Sequence, residues 1–446
     1  MSATYSTPGG AINGLFKKVY SSLEDLTPGK PYLGLELAPF ETRKKAGASI
    51  EMAVNVSYEN GVTLASYDGA AITFKDVQSG VVKQATIYPY EMYVSSGISI
   101  SAISRSVSEG EQAFKAATKD RVAANIKSHY KWAEQLFWYG QDTYGLGRVC
   151  YETMTWRGAT LTAGSGTVNG ITFTNGVNTS SKHVLIDPYD LASGWIIGSE
   201  GLELSQWDGS TETDLGTIAE VNLKYGYIKV TGTPVVASST TSHWLVLKNQ
   251  HLAYDTFGAK KILTATTVHG LSTTTYGLWA GTQYTVPLDG SSAKQKLTFA
   301  RLIDAVAEAC DRGLDGDLEV VTSYATWADM CADQSALRVY DSKYEPNMAV
   351  NGFEGLKFHF VNGQIRVRPS RFVRRSDTFC MARGDWSRVG SSDVTLRVPG
   401  TSDGDMVIPP IAQNVFIYRS FSDMSPVCKS PARSIYIYNI DPDAST

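Results

Sequence analysis

The sequence lacks the features that mark secreted, membrane-spanning or zinc-binding proteins. Its 446 residues include five cysteines, an odd number, and no Cys-x-x-Cys pair. Such wide spacing favours buried thiols in a reducing cytoplasm over a disulfide framework. No apolar run approaches the roughly 18 residues of a membrane span. The opening residues, MSATYSTPGG, do not form a secretory signal. We therefore expect a cytoplasmic protein without membrane contact.

Catalytic motifs are also scarce. The chain has no Gly-x-Ser-x-Gly elbow and no phosphate loop, and its six histidines form no His-Glu-x-x-His pair. Asp315 and Asp317, like Asp403 and Asp405, lie in glycine-rich turns, where aspartate usually bonds its own backbone. We expect no catalytic residue, no metal and no cofactor.

The composition argues for a large folded chain that is not a dedicated nucleic-acid binder. The net charge is only -4, 19% of residues are charged and 43% are hydrophobic, whereas nucleic-acid binders usually carry a strong basic excess. The 24 tyrosines and 9 tryptophans suit either carbohydrate binding or large protein interfaces. We favour interfaces.

Residues 1–44 predict an extended arm, because prolines and glycines break any helix there. Leu33, Leu35 and Leu37 recur at every second position, which is strand spacing. An arm with an apolar face needs a cover. A neighbouring subunit and the body of the same chain are the two alternatives.

Residues 45–100 predict a long hairpin. Its strands are Ser49–Tyr58 and Lys83–Val94, with a Gly- and Asp-containing loop between them. A lone two-stranded hairpin is marginally stable in water, so a projecting one needs a partner. The candidate charged contacts with a second subunit in this region are Lys75, Asp76 and Lys83.

Residues 108–139 predict a long helix that serves as a strut. Ser108 and Glu111 form a capping box, and Gly140 ends the run. At about 1.5 Å per residue such a helix is roughly 48 Å long. Its apolar stripe consists of Phe114, Val122, Ile126, Tyr130, Ala133 and Phe137.

The rest of the chain alternates between short strands and a few helices. Residues 153–290 are rich in Thr, Ser, Gly and Val, which is typical of an all-β insertion. Residues 297–312 predict a second helix, and Trp327–Leu337 a third. A strand pair follows at 356–361 with 364–369, joined by Asn362-Gly363, and residues 416–420 and 434–440 are each strand-like. No internal repeat is evident.

A cluster of arginines stands near the C-terminal third. The 23-residue stretch that contains the cluster has only two acidic residues, Asp377 and Asp385. Arginine pairs bidentately with carboxylate or phosphate, so the cluster is either a solvated surface, a contact with carboxylates of adjacent subunits, or a DNA contact. Arg371, Arg374 and Arg375 are the candidate intersubunit residues. The cluster comprises Arg366, Arg368, Arg371, Arg374, Arg375, Arg383 and Arg388.

The order of these parts resembles the major capsid protein of tailed bacteriophages, with the Hong Kong 97-like fold. The resemblance rests on the helix end EQLFWYGQDTYGLG (134–147), on the helix–strand–helix of 296–330, on the strands and loop of 351–381, and on the closing segment 422–440. It covers most of the chain outside the insertion.

The resemblance implies an α+β fold with seven parts. They are an N-terminal arm (1–44), an extended hairpin loop (45–100), a spine helix with the start of a peripheral domain (101–150), a β insertion domain (151–255), connecting and peripheral strands (256–295), an axial domain (296–395) and closing strands of the peripheral domain (396–446).

The resemblance also implies the function. We expect a virion shell protein, assembled in the host cytoplasm, whose arm and hairpin lie on neighbours within pentamers and hexamers. The expected partners are portal, scaffold and decoration proteins, with double-stranded DNA held non-specifically inside an icosahedral head. A β-rich tail or baseplate protein is the alternative, and a carbohydrate-active enzyme is a second one.

Overall fold

The computed structural model describes most of the chain between residues 32 and 443. The described residues are 32–42, 48–64, 67, 72–76, 79–99, 111–143, 145–236, 242–249, 256–286, 294–337, 356–360, 363–396, 407–408 and 415–443. Residues 1–31 of the predicted arm and Ser108 of the predicted capping box lie outside this set.

Helices and strands are mixed along the described chain, which confirms the predicted α+β class. The helices are α1 Leu33–Leu37, α2 Glu111–Tyr139, α3 Ser193–Ile196, α4 Ala259–Thr264, α5 Phe299–Asp311 and α6 Tyr324–Leu337. The first strands are β1 Phe40–Thr42, β2 Ile50–Asn55, β3 Val82–Ile87, β4 Tyr90–Ser99, β5 Gly147–Arg148, β6 Met154–Trp156, β7 Ala159–Leu161, β8 Gly166–Val168, β9 Ile171–Phe173, β10 Val177–Asn178, β11 His183–Leu185, β12 Glu203–Trp207 and β13 Glu212–Asn222. The remaining strands are β14 Tyr227–Val230, β15 Trp244–Leu247, β16 Thr267–Val268, β17 Leu271–Ser272, β18 Thr282–Thr285, β19 Leu318–Thr322, β20 Leu356–Phe360, β21 Gly363–Pro369, β22 Thr378–Ala382, β23 Trp386–Thr395, β24 Val407–Ile408, β25 Val415–Cys428 and β26 Ile435–Tyr438.

Helix α2 is the strut that the sequence predicts, and 29 residues at about 1.5 Å each make it about 44 Å long. Gly140 follows its last residue. A glycine fits at this position because a Cβ there would lie 2.1 Å from the carbonyl oxygen of Thr256. The last two turns are buried on several sides: Ala133 is 4% exposed, and Phe137 and Trp138 lie in the central core. A helix buried this way packs against more than one layer.

Three sheets surround this helix. The first has the order β1-β23-β25-β24, with β4 also paired to β25 over ten residues, from Met424↔Tyr90 to Val415↔Ser99. The second, in the insertion, has the order β10-β11-β14-β13-β12-β15-β5. The third has the order β18-β26-β22-β19-β21-β20.

The sheet pairings differ from the predicted boundary at residue 395. Strand β23, placed in the axial domain by the resemblance, pairs with β25 in the sheet that holds β4. Strand β26, placed among the peripheral strands, pairs with β22 and β18 in the third sheet. The reason is that Ile435 and Ile437 are buried in the core of the helix α5 block, together with Leu318 and Val320.

Residues 33–37 form one helical turn, so the predicted strand is wrong here. The backbone N–H groups of Gly34 and Leu35, which a helix start leaves without partners, donate to the carboxylate of Glu134 at 2.8 and 3.0 Å. A Cβ on Gly34 would lie 2.3 Å from the Phe137 ring. Glycine therefore permits the close approach of α1 to α2.

The insertion contains a repeat that was not expected from the sequence. Four consecutive turns centred on X-Gly pairs recur every six residues, each with positive φ at both positions, as type I′ turns require. They are Arg157-Gly158, Ala163-Gly164, Asn169-Gly170 and Asn175-Gly176. Between them the chain runs back and forth, and the large apolar side chains Trp156, Leu161, Val168 and Phe173 form one buried cluster. The opposite face exposes threonines, with Thr155 opposite Thr160 and Thr167 opposite Thr172.

Candidate interaction surface

The predicted hairpin is present between residues 50 and 87, and its two ends differ in environment. The second predicted strand, Lys83–Val94, is divided, because residues from Tyr90 onward belong to β4, which pairs with β25. Strands β2 and β3 are antiparallel, from Ile50↔Ile87 to Asn55↔Val82. At the base, Ile50 and Ile87 are buried against Val389 and Val427. Toward the tip the burial of both strands falls away. The hairpin is thus buried most deeply at the Ile50–Ile87 end, and Met52 and Val54 of β2 also pack against the central core.

The loop at the tip of the hairpin, residues 56–81, exposes large apolar side chains. Tyr58 is 81% exposed, Leu64 89% and Phe74 80%, and Val62 and Tyr67 are also exposed. Fully covering such a side chain is worth about 1.5–3 kcal/mol, so covering these five would contribute on the order of 10 kcal/mol before the costs of association. Isolated exposed apolar residues are ordinary, but five large ones within a single loop indicate an interaction surface.

The charged residues chosen from the sequence also lie on this hairpin. Lys75 and Asp76 are exposed in the loop, and Lys83 is exposed on β3. Their positions leave them accessible to a second molecule. Contact of these residues with a neighbouring subunit remains a prediction.

The three leucines of the arm lie on the body of their own chain. Leu33 is 3% exposed within the central core, and Leu35 and Leu37 are half-buried against the same cluster. Residues 40–42 then pair in parallel with β23. The burial of Leu33 corrects its assignment as an intersubunit contact, because a side chain buried within its own subunit is not available to a neighbouring one.

Most of the arginine cluster is neutralised within the chain. Arg374 is fully buried; its guanidinium donates to Asp142 at 2.6 Å and to the carbonyl of Gly145 at 2.8 Å. The intersubunit assignment of Arg374 is therefore wrong for this subunit structure. Arg375 pairs with Asp443 and lies against the Trp156 ring. The other ion pairs are Arg366–Glu319, Arg368–Glu36, Arg368–Glu319, Arg383–Asp317 and Arg388–Asp393.

Arg371 differs from the other six arginines. Among the residues that the structure describes, no carboxylate lies within ion-pair distance of its guanidinium, which instead lines a cleft of about 500 Å³. The cleft lies between helix α2 and the residues that follow α3. Of the three arginines chosen from the sequence, Arg371 alone thus faces an open space with its charge unmatched by a described carboxylate.

Arg374 belongs to a buried polar junction where helix α2, the insertion and the third sheet meet. The hydroxyl of Tyr139 donates to Asp377 at 3.0 Å and accepts from the Arg374 backbone N–H at 2.8 Å. Lys260 lies 3.4 Å from Asp142. Although burial acts to raise it, Arg374 and Lys260 hold the pKa of Asp142 below its ordinary value. Paired charges at this depth connect the three layers.

Glu134 is a second buried carboxylate, and it fastens α1 to α2. In addition to the two backbone N–H groups of α1, it accepts a hydrogen bond from the indole of Trp138 at 2.7 Å. Burial raises the pKa of Glu134 to about 7, against the opposing effect of these hydrogen bonds and of Arg388. Neither Glu134 nor Asp142 was predicted to be a buried charge. The burial of Glu134 could have been predicted, since this carboxylate falls within the strongly apolar run WAEQLFWY.

Neither a metal centre nor a membrane span emerges from the described residues. No group of three or more His, Cys, Asp or Glu side chains among them is arranged to hold a metal ion. No helix in the part of the chain that the structure describes is long and apolar enough to cross a membrane.

The fold was compared with solved structures. A chain of the capsid asymmetric unit of cyanophage A-1(L) aligns with 98% of this chain over 97% of its own length, at a TM-score of 0.53 and 11% sequence identity. The protein shares its fold with this phage capsid chain. Capsid chains of the native GTA particle (10% identity, 95% and 96% covered, TM-score 0.42) and of cyanophage P-SCSP1u (8% identity, 96% and 93% covered, TM-score 0.41) are also similar. At TM-scores below 0.5 these two add nothing to the fold assignment.

Comparisons of sequence alone find no match. No protein-family model matches the chain, and no curated protein does. The capsid fold of this chain is therefore recognised from its tertiary structure, and the likeness extends through the insertion as well as the predicted core elements, because nearly the whole length of both chains is covered.

Proposed function

We propose that the chain is the major capsid protein of a tailed bacteriophage. It would assemble into pentamers and hexamers that close an icosahedral head around double-stranded DNA, within the host cytoplasm, and remain in the virion. The observation that carries the proposal is the fold shared over 98% of the chain with a phage capsid chain. No feature of the described residues favours the tail protein or the carbohydrate-active enzyme.

The exposed hairpin loop supports assembly on physical grounds. A two-stranded hairpin with an apolar tip gains stability only when another surface covers it. In a shell, the cover is the adjacent subunit, and each subunit both gives and receives one loop. Such a head-to-tail contact generates closed rings when the rotation between subunits closes. Several linked contacts per subunit then give a large joint stability.

The parts of the chain take the roles that the capsid fold implies. Helix α2 is the spine, and the hairpin of strands β2 and β3 is the extended loop. The third sheet with α5 and α6 forms the axial domain, now including β26, and the first sheet belongs to the peripheral domain. Portal, scaffold and decoration proteins are the proposed further partners.

Particle formation tests the function directly. The purified chain, expressed with and without the other head proteins of its phage, is examined by negative-stain microscopy and light scattering. Closed shells tens of nanometres across support a capsid protein. Tubes would support the tail protein, and a persistent monomer in both expressions would contradict assembly.

The hairpin loop is tested by a triple substitution, Tyr58→Ser, Leu64→Ser and Phe74→Ser. We expect an unchanged melting temperature of the isolated subunit, because these side chains are exposed, and a large loss of shell yield. The matched control is Leu223→Ser with Leu278→Ser, which removes two apolar side chains that are 45% and 52% exposed elsewhere. Equal yields for the triple variant and the control would show that the loop does not contribute to assembly.

A further inference from the structure

Three Asn-Gly pairs lie within the described residues, and their surroundings differ. They are Asn60-Gly61 in the hairpin loop, Asn169-Gly170 at an outer turn of the insertion, and Asn175-Gly176 at an inner one. An asparagine followed by glycine is open to attack on its side chain by the next backbone nitrogen, because glycine has no Cβ to obstruct the approach. Which of the three pairs reacts then depends on how firmly each one is held.

Asn175-Gly176 is held by several hydrogen bonds. The backbone N–H of Asn175 donates to the hydroxyl of Ser165 at 2.9 Å, and that hydroxyl donates to the Asn175 side-chain oxygen at 3.0 Å. The N–H of Gly176, which carries the attacking nitrogen, donates to the Gly164 carbonyl at 3.0 Å, and Gly176 is buried. These bonds must open before the nitrogen can reach the side chain, and each lowers the reactive population about two- to tenfold.

Asn169-Gly170 is exposed, but its asparagine side chain is tethered. Nδ2 of Asn169 donates to the hydroxyl of Tyr227 at 3.0 Å, and Tyr227 is only 4% exposed within the cluster beneath the turns. Both residues of the pair have positive φ, as a type I′ turn requires. Attack on the side chain would rotate the backbone out of this turn, so we expect an intermediate rate.

Asn60-Gly61 has neither kind of restraint. Both residues are exposed and lie outside any helix or strand. The Asn60 amide donates to the carbonyl of Tyr58 at 3.2 Å, at the surface, where water competes for both groups. No described residue accepts a hydrogen bond from the Gly61 N–H. This pair thus combines the reactive sequence with the least restrained backbone of the three.

We propose that Asn60 is a site of spontaneous deamidation, and that the product weakens the assembly of chains that remain unassembled. The Gly61 backbone nitrogen forms a bond to Cγ of Asn60, the Cγ–Nδ2 bond breaks, and ammonia leaves with the proton that the backbone nitrogen gives up. Water then adds across one C–N bond of the resulting succinimide ring, which leaves aspartate or isoaspartate. Water is the only reagent consumed, and nothing is oxidised or reduced.

The new carboxylate would stand among exposed apolar side chains. Tyr58 is 81% exposed and Val62 is 62% exposed, and Glu59 already supplies one negative charge next to Asn60. Covering a charge that has no partner of opposite sign is unfavourable, so a second charge makes the loop harder to bury. This consequence rests on the proposed assembly function, whereas the deamidation itself does not.

Ageing of the purified full chain at neutral pH, kept dilute so that subunits stay separate, tests the site. Peptide mass spectrometry after digestion measures the fraction of aspartate and isoaspartate at each pair. We expect Asn60 to convert at least about tenfold faster than Asn175, with Asn169 between them. Gly61→Ala should slow conversion at Asn60, because it adds a Cβ beside the attacking nitrogen. Conversion at Asn60 no faster than at Asn169 or Asn175 would overturn the inference.

Two substitutions at Asn60 test the consequence. Asn60→Asp imitates the product, and Asn60→Gln is the matched control that retains a neutral amide. We expect unchanged melting temperatures of the isolated subunit for both, and a shell yield at least about fivefold lower for Asn60→Asp alone. Equal shell yields for the two variants would overturn the loss of assembly. Failure of the unaltered chain to form shells would instead refute the proposed function, and ageing of the free chain would still decide the site.

Discussion

Replacing Arg374 with alanine should destabilise the subunit itself, independently of assembly. The substitution removes a guanidinium that is fully buried and held by Asp142 and the Gly145 carbonyl. It leaves Asp142 with Lys260 at 3.4 Å as its remaining cationic partner. Breaking a buried pair by removing one member typically costs about 3–5 kcal/mol, because the remaining charge stays buried. The guanidinium also lies 4.1 Å from the centre of the Tyr139 ring, so packing is lost as well.

The matched control is Arg383→Ala, which breaks an exposed ion pair with N···O at 4.0 Å. Exposed pairs contribute about 0–1 kcal/mol, so the two arginines of one cluster should differ by several-fold in effect. Arg374→Lys keeps the positive charge but loses the planar guanidinium that donates to both acceptors, and we expect an intermediate loss of unfolding free energy. Urea unfolding of the isolated subunit at pH 7, followed by circular dichroism, measures all three free energies.

The pH dependence gives a second check on the same reasoning. The pKa of Asp142 is held below its ordinary value in the folded chain. Its contribution to stability is therefore present above the unfolded pKa and is lost as pH falls through the folded one. The difference between the unaltered chain and Arg374→Ala should shrink below about pH 4. An Arg374→Ala subunit with normal unfolding but defective assembly would refute the intrachain role and restore the intersubunit one.

Three further predictions concern other parts of the fold. Leu33→Ala should reduce the unfolding free energy of the isolated subunit by about 2–5 kcal/mol, measured by urea unfolding; an effect seen only in assembled shells would contradict its burial within the chain. Glu134→Gln should flatten the pH dependence of the unfolding free energy. Because the pKa of Glu134 is raised to about 7, its contribution is fully present below about pH 4.5 and is lost as pH rises through 7. The same change in unfolding free energy between pH 5 and pH 8 for the variant and the unaltered chain would refute this. Gly164→Ala should lower the melting temperature more than Gly170→Ala. Both glycines have positive φ, but a Cβ at position 164 would lie 2.1 Å from the Cys150 carbonyl oxygen, whereas a Cβ at position 170 would meet nothing within 4 Å. Equal melting temperatures for the two variants would count against the packing of the inner turns.

Elements with a strong local pattern were predictable from the sequence. The long helix ends at Tyr139 as Gly140 indicates, and α5, predicted over residues 297–312, spans Phe299–Asp311. The hairpin strands pair as predicted over Ile50–Asn55 and Val82–Ile87, but the second strand does not continue to Val94 within the hairpin. In each case the local sequence contains the signal, because caps and periodicity act over a few residues.

The incorrect predictions share a different cause. Leu33, Leu35 and Leu37 have strand spacing, yet the chain forms a helical turn because Glu134, about one hundred residues away, accepts its first N–H groups. Arg374 looked like a surface charge because its partner Asp142 is 232 residues distant. Long-range partners of this kind override local propensity, and a single sequence does not reveal them.

The cleft beside Arg371 was only partly predictable from the sequence. Arg371 was chosen from the sequence as part of a cluster, but nothing local separates it from Arg374 three residues later. The difference arises from tertiary structure: one side chain points into the junction of three layers, and the other lines the space between α2 and the insertion.

The six-residue meander of the insertion has a geometry that allows the chain to be lengthened without moving its ends. Because each hexad reverses the chain direction, two hexads return it to the side from which it started, so lengthening by twelve residues preserves the entry and exit points. The Asn169-Gly170 tip, where an added side chain meets open space, is the natural place to graft an epitope. A shell of such subunits would display that epitope in many regularly spaced copies.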